Sequence, residues 1–350
     1  DGGVSDAWRL ARLKWLTSTL GDEDTVTRPY TPVTIDSAKP RTIRLLGRTL
    51  TLAPDGLPAQ ITSSYSGSNT KILDTSFDLL ARPFSFTAEG KEFGPAAEST
   101  FTFTSTKQTE VAWRSETRYG SVKRIVEGKM DFTGTGFFRI RFEGGSVRKA
   151  VFGIDMPAQV ARYFEGLGRN GGVFPDNLTH TWNAKYNRDA AWFGSINGGL
   201  AIRFKDANYR RPFVNAYYAW RPLVLPRSWA AGNGTITVRK NAQEASLRAE
   251  AANAPAGAEW NFELYLTPFH PLNLKQQLTR RYYHYGQHAK AADFATLRRQ
   301  GATVVNLHHN TVWNPYINYP YNDDGGPFLK KIVKDAHDAG LLLKVYYTTR

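Results

Sequence analysis

The segment Phe137-Phe138-Arg139-Ile140-Arg141-Phe142 alternates arginine with apolar side chains from Phe138 onward. Successive side chains of a β-strand point to opposite faces of the sheet, so this order buries one face and leaves the arginines on the other. Such one-sided strands are typical of antiparallel sheets that pack on a core with one face only. The segment therefore predicts an antiparallel strand with one wet face.

Similar short segments recur from Tyr30 to about Leu266, and Gly, Pro, Asn and Asp separate them. They are rich in Thr, Val, Ile and Phe, which favour strands. They include Arg41–Leu46, Thr49–Leu52, Phe101–Thr104, Glu110–Arg114, Leu200–Phe204, Thr235–Val238 and Trp260–Leu266. Many short strands separated by turns predict a large antiparallel β-sandwich. The segment Asp6–Leu20 fits a helix and a strand about equally well, so both remain open.

The pattern changes after Pro268, where helix-length segments alternate with single strands. Lys290–Gln300 predicts a helix that Gly301 ends, and Thr303–His309 predicts a strand. A second helix is expected from Pro327, at its first position, to Gly340, and Leu341–Tyr347 is the next strand. Strand, loop, helix and strand in this order predict a right-handed parallel βαβ unit, the opening of an α/β barrel or of a doubly wound sheet.

The sequence thus predicts two domains, a β-sandwich over residues 1–285 and the start of a (β/α)8 barrel over residues 286–350. A complete barrel needs about 200 residues or more. We therefore expect the barrel to be truncated in this sequence, and either a missing segment or a partner chain to complete it.

Composition excludes several classes of protein. The 350 residues carry 45 Lys plus Arg against 31 Asp plus Glu, a net charge of +14, and no cysteine. Disulfides and thiolate zinc sites are therefore excluded. No apolar run reaches the roughly 18 residues of a membrane span, and no basic helix or zinc finger indicates nucleic-acid binding. The positive charge is compatible with an acidic partner, and we expect no cofactor.

Polar residues at the ends of the two parallel strands are candidates for substrate binding. Val305 and Leu307 have the parity of helix-facing residues, which places Asn306 and His308 on the inner face of the barrel. In the next strand Tyr346 and Arg350 share the inner face with Lys344. Active sites of such barrels lie at the carboxyl ends of the strands, so His308, Tyr346 and Arg350 are expected there. The alternative is that inner polar residues only satisfy one another.

The loop after the first of these strands, residues 308–324, is dense in aromatic rings and amides. Asn310, Trp313, Asn318 and Tyr319 offer the stacking surfaces and hydrogen-bonding groups that suit a sugar. The alternative is a rigid, proline-braced loop whose tyrosines pack on the sandwich. His308 and His309 form a poor chelate because neighbouring strand residues face opposite ways, so no metal site is expected.

Two motifs in the sandwich have ordinary interpretations. The glycine-rich segment Gly166–Gly172 lacks the Lys-Ser/Thr and the helix of a phosphate-binding loop, so it predicts a turn. Tyr209–Pro212 and Arg221 could hold an anionic group through their guanidinium groups, although single surface arginines are common on a basic protein.

Several motifs together resemble a known family. They are Trp15–Glu23, Leu46–Arg48, Gly56–Pro58, Tyr163–Gly168, Asn208–Pro212 and Ile317–Pro320. They resemble large secreted bacterial proteins with glycoside-hydrolase domains, related to glycoside hydrolase family 123, and the resemblance covers nearly the whole chain. It implies a β-sandwich followed by a catalytic (β/α)8 barrel, and an extracellular or periplasmic location.

The resemblance also implies an activity. Family 123 is known for retaining cleavage of β-linked N-acetylgalactosamine, in which the acetamido group of the substrate attacks and an adjacent Asp-Glu pair assists. Asp323-Asp324 lies in a loop and is not that pair. We therefore expect the N-terminal part of a hydrolase of bacterial, plant or host glycans, including acidic or amino-sugar polymers, with its catalytic carboxylates beyond residue 350. The alternative is a non-catalytic carbohydrate-binding module.

Overall fold

The protein is described by a computed structural model, which places residue 19 and residues 24–183, 188–207, 225–285, 293–307 and 325–345. Two compact units are present. The first, the sandwich unit, is Asp24–Leu272, and the second, the barrel unit, comprises Asn273–Arg350 with Asp1–Glu23. The sequence placed the domain boundary at residues 285 and 286. The contacts divide the chain between Leu272 and Asn273 instead, because Tyr282–Tyr285 pairs with the parallel strands that follow.

The sandwich unit contains twenty strands and one short helix among its described residues. The strands are β1 (Thr34–Ile35), β2 (Thr42–Leu45), β3 (Arg48–Leu52), β4 (Pro58–Tyr65), β5 (Ile72–Asp78), β6 (Arg82–Glu89), β7 (Phe93–Ala96), β8 (Thr100–Thr106), β9 (Glu110–Gly120), β10 (Val122–Asp131), β11 (Thr135–Glu143), β12 (Lys149–Pro157), β13 (Tyr163–Gly166), β14 (Arg169–Val173), β15 (Asn177–Thr181), β16 (Ala190–Ser195), β17 (Gly198–Lys205), β18 (Thr235–Lys240), β19 (Glu244–Ala252) and β20 (Glu259–Thr267). Helix α1 is Arg227–Ala230.

These strands form three sheets. A five-stranded sheet follows the chain order β1-β2-β3-β4-β5. A ten-stranded sheet has the order β14-β13-β16-β17-β20-β11-β10-β9-β7, with β8 also paired to β9, and a second five-stranded sheet has the order β15-β18-β19-β12-β6. The antiparallel, strand-dominated architecture that the sequence predicted for this region is confirmed.

One apolar core fills the sandwich unit, and strand β11 shows how the alternation builds it. Phe138 and Ile140 are buried, whereas Arg139 on the same strand is exposed. The ring of Phe138 stacks on Phe262 of β20 at 4.5 Å between centroids and 8° between planes. The indole of Trp113 meets Phe138 edge to face. Aromatic pairs of this kind add to the free energy of burial, so the period-two pattern of the sequence is also the pattern of the core.

Gly128 of β10 is required by the packing of Trp113. A Cβ at Gly128 would lie 2.3 Å from two ring carbons of the Trp113 indole. That distance is far below van der Waals contact, so a side chain at position 128 would displace the indole from the core.

A buried arginine ties distant parts of the sandwich unit together. Arg48 of β3 donates hydrogen bonds to the carbonyl oxygens of Leu46, Thr133, Leu266 and Phe269, at 2.6–3.0 Å. No carboxylate of the described part of the chain lies within ion-pair distance of its guanidinium, and burial lowers its pKa from the ordinary arginine value. Arg48 therefore satisfies backbone acceptors that would otherwise be stranded in the interior.

The glycine-rich segment contains the turn that the sequence predicted, and this turn closes a hairpin. Strands β13 and β14 are joined by a turn at Leu167 and Gly168, and both residues have positive φ, at 50° and 86°.

The barrel unit contains three parallel strands and three helices among its described residues. The strands are β21 (Tyr282–Tyr285), β22 (Val304–Leu307) and β23 (Leu342–Val345), paired in that order. The helices are α2 (Leu274–Thr279), α3 (Phe294–Arg299) and α4 (Gly325–Asp338). Asp293 caps α3 through its side chain. These elements confirm the opening of a TIM-type barrel, and the described strands do not close into a ring.

Two boundaries in the barrel unit differ from the expectation. Helix α4 begins at Gly325, two residues before the Pro327 that the sequence placed at its first position. Strand β21 was not predicted, because Tyr282-Tyr283-His284-Tyr285 is a short run of rings without an alternation of apolar and polar side chains. No helix in the described ranges is both long and apolar enough to cross a membrane.

Candidate functional site

The seven substrate-binding residues that the sequence predicted lie outside the described residues. They are His308, Asn310, Trp313, Asn318, Tyr319, Tyr346 and Arg350, and their roles remain predictions. Tyr209–Pro212, Arg221 and Asp323-Asp324 also lie outside the described residues. The described strands that lead to these positions do, however, define the face on which a site can form.

The parallel sheet of the barrel unit separates its side chains as the sequence predicted. Val305 and Leu307 are fully buried in a cluster with residues of helices α3 and α4, among them Leu297 and Ile332. This is the helix-facing side of the sheet. Residues of the opposite parity therefore lie on the inner face of a barrel.

One row of polar side chains crosses the inner face. In the strand register, His284 of β21 lies beside Asn306 of β22, and Asn306 lies beside Lys344 of β23. We call these three residues the inner row. Each strand of the sheet contributes one of them, and the strands run parallel, so the three side chains share one level of the barrel.

Asn306 is the buried centre of the inner row. The residue is 9% exposed, and its amide nitrogen Nδ2 donates a hydrogen bond to Nδ1 of His284 at 2.8 Å. A bond accepted at Nδ1 leaves the proton of a neutral imidazole on Nε2. The amide oxygen Oδ1 of Asn306 is buried and has no hydrogen-bond partner. A buried acceptor without a donor raises the free energy of the folded state. This oxygen is therefore a position at which a ligand donor could form a favourable hydrogen bond.

The flanks of the inner row are open to solvent. Lys344 and His284 are exposed, and the Tyr282 ring, which lies on the same face, is 61% exposed. The Lys344 ammonium lies 5.7 Å from the centre of that ring. The inner face thus offers a ring surface, an ammonium donor, and the unpaired amide oxygen of Asn306, the groups that complement a polyhydroxylated ring.

The described inner face carries no carboxylate. Its residues are Tyr282, His284, Val304, Asn306, Leu342 and Lys344. Nor do the described residues contain a group of three or more His, Asp or Glu side chains that could hold a metal ion. The inner row is therefore suited to holding a ligand, whereas an acid and a nucleophile would have to come from other positions.

The alternation in the sequence placed Asn306 and Lys344 on the inner face, and the structure confirms both placements. It missed His284 and Tyr282, because it began the parallel sheet at residue 303. The signal that could have found them is the run at residues 281–285, which is rich in basic and aromatic residues. It precedes Val304 by enough chain for the crossover connection that two parallel strands need.

Two family models match the sequence. Residues 36–268 match the third domain of glycoside hydrolase 123, and residues 273–350 match the TIM-barrel domain of glycoside hydrolase 123. The first match alone covers more than half of the chain. No curated protein matches the sequence.

Solved structures resemble the chain only weakly. A GH36 α-galactosidase of Geobacillus stearothermophilus, in complex with stachyose, is 10% identical with a TM-score of 0.36, and the match covers 87% of this chain and 56% of that one. A putative aldose 1-epimerase of Klebsiella pneumoniae is 10% identical with a TM-score of 0.39, over 66% and 79%. An aldose epimerase homologue from C. elegans is 9% identical with a TM-score of 0.33, over 63% and 95%. At these scores the likeness shows neither a shared activity nor a shared substrate.

Proposed function

Since the chain belongs to glycoside hydrolase family 123, we propose that it forms the sandwich and the first barrel strands of an enzyme that hydrolyses O-glycosidic bonds of polysaccharides or glycans. Family membership makes the protein carbohydrate-active. The substrate, the linkage and the residues that act on it are the further content of the proposal.

The observation that carries the proposal is the inner row. Asn306 presents a buried, unpaired oxygen on the inner face, and His284 and Lys344 flank it with exposed side chains. We propose that this row holds a sugar ring of the substrate. Asn306 Oδ1 would accept a hydrogen bond from a hydroxyl or an acetamido N–H, and Lys344 would donate to a hydroxyl oxygen. The exposed ring of Tyr282 would contact the apolar face of the sugar.

The chemistry needs carboxylates that the described inner face does not contain. Glycosidic hydrolysis uses a pair of carboxyl groups, or one that assists when the acetamido group of the substrate is the nucleophile. We propose that these carboxylates lie beyond residue 350, on later strands that complete the barrel within the same protein or in a partner chain. The inner row would then position the substrate and take no part in bond cleavage.

We further propose that the protein acts outside the cytoplasm of a bacterium, on a polymeric substrate that includes amino-sugar or acidic units. The support for this location is the likeness to secreted family members. The positive net charge of +14 is compatible with an acidic polymer.

The test compares this chain with a longer form that continues past Arg350. Both are measured for binding on a glycan array and for release of reducing sugar from the glycans that bind. We expect both to bind and only the longer form to release sugar. Binding by both forms without release, on neutral, amino-sugar and acidic glycans alike, would favour the alternative of a carbohydrate-binding module.

The contribution of the inner row is measured with Asn306→Ala in the longer form. We expect KM to rise about tenfold or more with a smaller change in kcat, since the substitution removes a binding contact and leaves the reacting groups in place. Lys331→Ala, an exposed residue of α4 that pairs with Asp335 at 2.5 Å, is the control and should leave both constants unchanged.

A further inference from the structure

The ten-stranded sheet of the sandwich unit carries a pocket on the face that points away from the core. Its volume is about 420 Å³. All of its lining residues belong to the sandwich unit, so it is separate from the inner row of the barrel unit. Pockets of about 300–1,000 Å³ are typical of small-ligand sites.

A cross-strand row of long polar side chains builds one wall of the pocket. In the register of β9, β10, β11, β20 and β17, five residues lie side by side: Arg114, Glu127, Arg139, Asn261 and Lys205. Their neighbours of opposite parity, Trp113, Phe138 and Phe262, are buried in the core. The alternation of the strands therefore fixes the height and direction of this wall.

An exposed aromatic ring lies in the next row of the same face. Phe137 is 39% exposed, in register with Lys129 of β10 and Glu263 of β20. The ammonium of Lys129 lies 5.0 Å from the ring centre and also pairs with Glu110 at 2.9 Å. A cation–π contact at an exposed site is weak, so a ligand can replace the ammonium over the ring. Phe137 thus offers an apolar surface framed by charged groups.

The charges around the ring are already paired. Glu127 accepts from Arg114 at 2.5 Å and from Arg139 at 3.2 Å. Glu263 accepts from Lys205 at 2.5 Å and from the hydroxyl of Tyr265 at 2.6 Å. Burial raises the pKa of Glu263, but these hydrogen bonds outweigh burial and hold the pKa below its usual range. Glu263 therefore stays ionised as an acceptor.

The pairing decides the charge of the ligand. The lining contains four cationic side chains and three carboxylates. The net charge of the pocket is therefore close to zero, and an ionic ligand would gain little electrostatic attraction from it. A carboxylate ligand would compete with Glu127 and Glu263 for cations that are already bound, and it would lie close to both. A neutral polyol can donate to the carboxylates and accept from the arginines without separating any pair.

We propose that this pocket binds a neutral sugar ring of a glycan, with Phe137 as the stacking surface and the Glu127–Arg139 pair as the hydrogen-bonding wall. The site is a second carbohydrate contact of the protein, independent of the inner row. It would give a polymeric substrate a binding site whose residues take no part in bond cleavage.

The test measures binding of soluble oligosaccharides in the Asn306→Ala background, in which the inner row is disabled. The probes are neutral tetrasaccharides of glucose, galactose, mannose and N-acetylglucosamine, and the C6-oxidised, acidic counterpart of each hexose tetramer. Titration calorimetry gives Kd for each. We expect at least one neutral tetrasaccharide to bind, and its acidic counterpart to bind about tenfold more weakly, because the wall has no unpaired cation.

Variants then locate the binding. Phe137→Ala should raise Kd about tenfold, whereas Phe137→Tyr, which keeps the ring, should bind with nearly the original Kd. Glu127→Gln should raise Kd by a smaller factor, because the amide has one acceptor oxygen where the carboxylate has one for Arg114 and one for Arg139. The controls are Leu73→Ala, an exposed apolar residue of β5, and Glu89→Gln, whose carboxylate pairs with Arg148 at 3.0 Å outside the pocket. Both controls should leave Kd unchanged.

Three outcomes would overturn the inference. One is that no neutral tetrasaccharide binds at millimolar concentration, and another is that the acidic counterparts bind more tightly. The third is that Phe137→Ala binds normally. The proposed function fails separately, since it predicts sugar release by the longer form and a KM effect at Asn306, neither of which depends on this pocket.

Discussion

Replacing Asn306 with leucine is expected to separate stability from binding. Asn306 makes one hydrogen bond through Nδ2, to the exposed His284, and keeps one buried oxygen without a partner. Loss of the bond costs about 1 kcal/mol, and His284 can turn to water instead. Removing the unpaired oxygen recovers about 1–3 kcal/mol. Leucine branches at the same carbon as asparagine but is larger, and its extra volume can extend toward the exposed flanks of the inner row. Asn306→Leu should therefore stabilise the barrel unit by about 1 kcal/mol while it weakens glycan binding.

Hydrogen exchange of the β22 amides, Val304–Leu307, measures the local opening free energy without requiring the whole chain to unfold in one step. The matched control is Val305→Ala on the same strand. Val305 is fully buried on the helix-facing side, so its truncation should lower the opening free energy by about 1–3 kcal/mol and leave binding intact.

The reasoning is refuted if Asn306→Leu lowers the opening free energy by more than about 1 kcal/mol and glycans still bind normally. The unpaired oxygen would then have a structural partner in the native protein, and the inner row would be part of the scaffold.

Three further predictions concern the sandwich unit. Arg48→Met should lower the free energy of unfolding by about 3–4 kcal/mol in urea titrations, since four carbonyls lose their donor; a loss under about 1 kcal/mol would mean that water replaces it. Gly128→Ala should cost about 2–3 kcal/mol by displacing the Trp113 indole, whereas Gly67→Ala, with open space around it, should be neutral; equal melting temperatures would contradict this. Burial, and to a lesser extent Arg188, lowers the pKa of His180, so the unfolded chain binds the proton more readily and stability falls as pH drops below about 6.5. His180→Phe should flatten the loss of stability between pH 7 and 5, and parallel curves for the two proteins would rule that out.

The sandwich could be predicted from the sequence because its strands are one-sided. Wherever a strand buries one face, apolar residues recur at every second position, as Phe138 and Ile140 do in β11. The order of strands in the sheets could not be predicted, because it depends on contacts between residues far apart in the chain. The same alternation is compatible with many pairings, and nothing in Glu259–Thr267 indicates that β20 lies between β11 and β17.

The candidate site was predicted in part. The parity of Val305 and Leu307 was enough to place Asn306 on the inner face, because helix-facing residues must be apolar. His284 could not be placed, since its strand has only four residues and no apolar alternation. The pocket on the ten-stranded sheet could not be predicted from the sequence either. It depends on which side chains become neighbours across five strands, and only the register brings Phe137 beside Glu263.

The position of β20 has a consequence for how the sandwich is made during synthesis. β20 is the last strand of the sandwich unit in the sequence, yet it lies in the middle of the ten-stranded sheet, where it joins the half that ends in β11 to the half that ends in β17. A chain still on the ribosome can pair hairpins such as β9, β10 and β11 early, but it cannot close the sheet before residues 259–267 have emerged. Until then, the edges of β11 and β17 that pair with β20 in the folded protein have no partner strand. The barrel sequence begins only a few residues later, so the sandwich sheet can close only as the barrel sequence begins to leave the ribosome.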